Sequence, residues 1–177
     1  GSEQNDSRSD VKPGDIPTVT NDINAVVIQS KKDVEALIVK YIKAQKAGQT
    51  FEPVHVIVPV TTPDDFKQAR AYLGDLVGIA SPFEVQIQNE ITDRIDFSLN
   101  VKSTVPLHII VSGKSTEVAK LHHVMLNLSA DIVEVRHLSW HSVQGVGSMI
   151  KLFDSREVIF DDVIMDQVKS NDLPLPS

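Results

Sequence analysis

The segment HIIVSGKSTEVAKL, residues 108–121, contains Gly113-Lys114-Ser115-Thr116, the residue order that closes a phosphate-binding P-loop. Such a loop needs G-x-x-x-x-G-K-[ST]. The chain must leave its strand, curl around a phosphate and present backbone N–H groups at a helix start. The place of the first glycine is held by His108. Ile109, Ile110 and Val111 are β-branched and favour a straight strand over a curled loop. The segment therefore reads as a strand, a turn at Ser112-Gly113-Lys114, and a helix capped by Ser115 or Thr116.

Two histidines lie in apolar strand-like runs, His55 in VHVIV and His108 in LHIIV. The pair resembles a phosphodiesterase signature in which each copy reads His-x-Thr/Ser. Here Ile57 and Ile110 stand where the hydroxyls would hold phosphate. A phosphoester- or nucleotide-acting enzyme using His55, His108 or Lys114 would need those groups to converge on one concave site. His122 and His123 fall on an expected helix, about 100° apart around its axis, a poor arrangement for sharing a metal. His137 and His141 are four apart but in an expected strand, with Glu134 as the near acid, unlike the helical pair that binds zinc. Ser112, Ser115 and Ser139 lack a G-x-S-x-G elbow. The glycines of VQGVGSM lack the third glycine and following helix of a dinucleotide site. The acid pair Asp64-Asp65 suits a helix start, and Asp161-Asp162 suits a solvent face or a device against edge pairing. The expectation is no catalytic, cofactor-binding or metal-ligating residues. The candidate interaction residues are Trp140, Phe153 and Phe160, since large aromatics anchor interfaces.

Composition sets wider bounds. The chain has 177 residues, 41% hydrophobic and 23% charged, enough for a sizeable core. A net charge of −7, with 24 acidic against 17 basic residues, disfavours nonspecific nucleic-acid binding, which rests on cations neutralising phosphates. With no cysteine, disulfides, thiolate chemistry and cysteine-based zinc sites are excluded. No apolar run approaches the roughly 20 residues of a bilayer span. Gly1-Ser2 reads as the scar of a removed expression tag, so the native chain is expected to begin upstream and membrane association to depend on segments outside this sequence.

The elements that must position these residues follow from periodicity. A strand at 25–29 leads into a helix opened by Ser30 and Asp33 and ended near Gly48. A β-branched strand at 53–60 leads into a second helix opened by Thr62-Pro63-Asp64-Asp65 and ended at Gly78. Phe83, Val85 and Ile87, then Ile95, Phe97, Leu99 and Val101, alternate with polar residues, as in half-wet antiparallel strands. After the strand 105–111, Val118, Leu121, Met125 and Leu128 form a helical stripe. A strand at 130–140 and a hairpin around Asp154-Ser155 complete the order. The expected fold is α+β: mixed, largely antiparallel sheet with helices packed on one face and ferredoxin-like elements. Residues 1–22 read as tag scar and linker, 23–165 as the domain (divisible into 23–80 and 81–165), and 166–177 as a flexible tail. No short-period repeat stands out.

From Thr62 onward, the order helix, two strands, then VPLHIIVSGKSTEVAKLHHVMLNLSADIVEVRHLSW resembles the periplasmic domain of PilO-like proteins of the type IV pilus and type II secretion inner-membrane platform. That resemblance implies a ferredoxin-like αββ repeat serving protein assembly on the periplasmic side, without catalytic residues. The expected function is a noncatalytic assembly module that pairs with a protein partner or with itself. A small-ligand sensor domain is a further alternative, requiring an apolar pocket with a few polar groups.

Overall fold

The computed structural model describes residues 24–143 and 150–168. Two helices and nine strands are present among them: β1 (Val26–Val27), α1 (Lys31–Lys46), β2 (Val54–Val60), α2 (Pro63–Asp75), β3 (Ala80–Ile87), β4 (Ile91–Leu99), β5 (His108–Gly113), β6 (Lys120–Ser129), β7 (Ile132–Val143), β8 (Ile150–Phe153) and β9 (Glu157–Val168). The expected linker over 1–22 lies outside the described residues. β9 runs past the expected domain end at 165.

Both helices start where side-chain chemistry says they should. Asp33 Oδ2 accepts from the backbone N–H of Gln29 and Ser30 at 2.8 and 3.1 Å. Asp65 Oδ2 does the same for Thr61 and Thr62 at 2.7 and 2.9 Å. Each acid at the third helical position thus satisfies donors that would otherwise be orphaned at the helix entry.

The expected antiparallel sheet is overturned. The strands form one sheet in the order β1-β2-β3-β5-β7-β6-β4, with β8 added on β6 and β9 on β7. Every described pairing is parallel. Alternation along β4 reports one dry face, whereas β3 is buried on both faces, its polar Glu84 and Gln86 included; the alternation of neither strand carries information on strand direction. The expected hairpin is likewise replaced: β8 pairs with β6, and β9 with β7.

The register reveals how the chain winds. β3, β5, β7 and β9 bond in succession, and so do β4, β6 and β8. The chain therefore alternates between two ladders and climbs one strand in each per turn, which is the winding of a parallel solenoid. Phe83, Ile109, Val133 and Val158 stand in one stacked row. Their spacing is about 25 residues, within the range of solenoid repeats. In the first turns the crossovers are helices, and α2 packs on β2, β3 and β4. Phe66 meets Phe97 at a ring distance of 5.3 Å, joining α2 to the second ladder.

The core fills the space between the ladders. Val56, Val58, Phe83, Val85, Ile109, Val111, Val133 and Val135 come from one side. Ile91, Ile95, Phe97, Leu99, Val124, Leu126 and Leu128 come from the other. Burying each such side chain stabilises by roughly 1.5–3 kcal/mol before entropy is counted.

The helix expected around Leu121 is strand β6. Its register on β4 shifts between Ile91 and Arg94. In β6 Leu121 and Val124, three apart, are both buried, after which Val124, Leu126 and Leu128 alternate as a strand does.

Candidate functional site

The outer face of the first ladder collects the polar residues of interest. His55 of β2, Glu84 of β3 and Ser112 of β5 are all buried. His55 Nε2 lies 2.7 Å from Glu84 Oε1, and Ser112 Oγ donates to Glu84 Oε2 at 2.5 Å. The carboxylate is the middle member. In a nucleophilic triad the imidazole must sit between serine and acid so that it can take the hydroxyl proton. Here the serine proton goes to the carboxylate, and the arrangement satisfies a buried acid instead of arming a nucleophile.

One turn further on, His108 Nε2 lies 2.5 Å from Glu134 Oε2. Arg136 donates through Nε and Nη2 to Glu134 Oε1. Its Nη1 donates to Asp161 Oδ2 at 2.6 Å. This chain links β5, β7 and β9 across the direction of the strands. Burial alone would push the Glu134 carboxyl up. The hydrogen bonds from Arg136 and His108, with their charges, outweigh burial and hold it below the usual carboxylate range. His55 and His108 do share one face of the sheet, because Ile57 and Ile110 both stand in register with Glu84. Each imidazole nevertheless ends on its own glutamate, and isoleucines occupy the places where hydroxyls would hold phosphate.

Gly113 has a structural explanation. A Cβ there would meet the His137 carbonyl oxygen at 2.2 Å and Ala119 Cβ at 2.5 Å. Lys114 is exposed, and its N–H donates to the Ile87 carbonyl at 2.9 Å. The chain then turns tightly, with Val118 N–H donating to Ser115 Oγ, and enters β6. No helix begins here to complete an anion cradle.

A cleft of about 390 Å³ opens beside the C-terminal ends of β1 and β2, lined among others by Ser30, Lys31, Asp65, Gln68 and Tyr72. This is where open parallel sheets commonly take ligands. Asp33 and Asp65 already occupy the donors at both helix entries. Burial, with the negative charge of those two acids, raises the Tyr72 phenol above its usual value.

Other histidines pair locally. His122 Nε2 lies 2.6 Å from Glu90 Oε2, and its ring stacks on His141 at 5.2 Å. His141 Nε2 lies 2.8 Å from Ser139 Oγ. Among the described residues, no three His, Asp or Glu side chains gather to hold a metal ion.

The expected interaction residues divide. Trp140 is fully buried and its indole N–H donates to the Val124 carbonyl at 3.2 Å, which removes it from the surface and makes it a core residue. Its place in β7, in register with Leu121 of β6, encloses it between two strands. Phe153 and Phe160 are 48% and 49% exposed. Ile164 and Met165 of β9, which sequence reasoning did not single out, are exposed to a similar degree. Their signal lay in the second apolar run of EVIFDDVIM, Val163-Ile164-Met165, which follows the acid pair. Among the described residues β9 bonds to β7 alone, so one edge of a 12-residue strand remains without a ladder partner. Comparison with protein-family models, curated proteins and solved structures gives no match for this chain.

Proposed function

We propose that this chain is a noncatalytic interaction module whose docking surface is the last described turn of its solenoid, at β8 and β9. One observation carries this reading: the inward apolar row that is buried at Val85, Val111 and Val135 continues to Phe160, which is 49% exposed. Repeat folds end their cores with capping elements, because an open row of apolar side chains invites a partner. An edge strand adds backbone hydrogen bonds to that attraction. The histidine–glutamate pairs serve as internal ties across the turns. A pilus or secretion platform as the setting rests on the sequence resemblance alone.

Site-specific photocrosslinking tests the reading. A photoreactive residue at Ile164, on β9, is expected to give protein adducts in the source cell. The same residue at Val39, exposed on α1, is expected to give none. Equal labelling at both positions, or none at Ile164, would overturn the proposal.

A further inference from the structure

The chemistry of the β9 edge specifies what it would accept; this inference rests on the interaction-module reading. Two features of that edge coincide. The first is the apolar row. Phe160 stands in register with Val135, and Met165 with the buried Trp140, yet Phe160 and Met165 are 49% and 46% exposed. A strand laid along β9 would find the next place in both rows open to its own apolar residues.

The second feature is charge. β9 holds Glu157, Asp161, Asp162 and Asp166 and no basic residue. Asp161 and Asp162 are tied on one side to Arg136 and His137 of the preceding turn, at 2.6 and 2.7 Å. Their side chains remain 51% and 53% exposed. The Arg136–Asp161 pair thus runs from cation on β7 to anion on β9, and the next strand meets carboxylates. A second copy of β9 would set acid beside acid, which is destabilising across a strand pair.

We infer that the β9 edge takes an extended strand from a partner protein that carries lysine or arginine at two adjacent positions between two apolar stretches. The apolar residues extend the rows of Phe160 and Met165. The basic residues meet Asp161 and Asp162. Complementary charge of this kind selects the partner more than it sets the affinity.

The probe is a fluorescein-labelled peptide as long as β9, with two adjacent lysines between two valine-rich stretches, followed by fluorescence anisotropy on the intact chain. Its counterpart carries glutamate for lysine. The lysine peptide should bind, with affinity falling as salt rises, and the glutamate peptide should bind at least about tenfold more weakly. The double variant D161N/D162N should erase the preference between the two. Phe160→Lys should abolish binding of both while the circular dichroism spectrum stays that of the parent chain. Equal binding of the two peptides, or binding of neither, would overturn the inference. A dimer seen by sedimentation and dispersed by Phe160→Lys would also overturn it, since the occupant would then be a second copy. Absence of peptide binding with crosslinks retained at Ile164 would remove this inference and leave the broader function standing.

Discussion

His137 Nδ1 lies 2.7 Å from Asp162 Oδ2, and the two residues occupy the same corner of successive turns, with φ of 57° and 56°. Both are in the left-handed region, where a residue other than glycine is disfavoured, asparagine and aspartate least so. The flanking pairs Arg136↔Asp161 and Leu138↔Val163 put the corners in register. The corner redirects each strand from its first half to its second, so the backbone conformation is required by the winding. Asp162 is about half exposed, and an ion pair in that setting stabilises by roughly 0–1 kcal/mol. The backbone requirement is the larger effect. Asp162→Asn is therefore expected to be nearly neutral, whereas Asp162→Val should cost about 1–3 kcal/mol. Urea unfolding of the two variants distinguishes these outcomes. Equal losses would mean that the ion pair dominates.

The preceding turn carries Gly113 at the corresponding place, and its need is steric. The contacts at 2.2 Å to a backbone oxygen and 2.5 Å to Ala119 Cβ leave no room for a methyl group. Relief would require two adjoining strands to part. Gly113→Ala is expected to destabilise by at least about 3 kcal/mol, in the range of severe overpacking. Lys114→Ala, on an exposed side chain, should change stability by less than about 0.5 kcal/mol. A phosphate-binding loop would tie both residues to nucleotide affinity; the winding ties only Gly113 to stability, and a melting curve separates the two.

The N-terminal third was legible because its signals are local. Ser30 with Asp33, and Thr62 with Asp65, announce helix starts whose geometry depends on four or five residues. The direction of the strands was not legible. Phe83 pairs with Ile109 across a whole turn of chain, and nothing near either residue encodes that distance. The repeat leaves little trace in the sequence because Val, Ile, Leu and Phe fill its apolar rows interchangeably and three different residues, Gly113, His137 and Asp162, stand at its corner. β6 reads as a helix because Leu121, Met125 and Leu128 recur at helical spacing, although the side chains it buries are Leu121, Val124, Leu126 and Leu128. The sequence offers Phe153 and Phe160 only as large aromatics; their exposure is a finding of the structure. Nor could the sequence show that Trp140 would be enclosed by β6, since that contact joins strands through the winding.

Glu84 is the most demanding buried group. It is fully buried, with its oxygens held by His55 and Ser112. Removing one member leaves the others without their partner in a dry place, so Glu84→Ala should cost about 3–5 kcal/mol. Replacing all three by apolar residues of similar volume, as H55L/E84M/S112A, should cost less than Glu84→Ala, because groups that satisfy one another are then removed together. Guanidinium unfolding of the single and triple variants checks this. A triple variant as unstable as Glu84→Ala would show that the cluster does more than satisfy itself, and would revive a reactive role for the His55 face.

Glu134 supplies the pH dependence. Burial raises its carboxyl, but the hydrogen bonds and charges of Arg136 and His108 lower it further than burial raises it. A carboxyl whose folded value is depressed contributes stability that is fully present above the ordinary glutamate range. That contribution is lost as pH falls through the folded value, because the folded state then takes up the proton that the unfolded chain already holds. The native chain should therefore lose stability on acidification below the ordinary glutamate range. Glu134→Gln should be less stable at neutral pH by about 1.5–3 kcal/mol, the usual worth of hydrogen bonds to a charged group. It should also lose less on acidification, so that the two stability curves converge at low pH. Parallel curves from neutral to acid pH would place the depressed carboxyl elsewhere and break the tie that the His108–Glu134–Arg136–Asp161 chain makes across β5, β7 and β9.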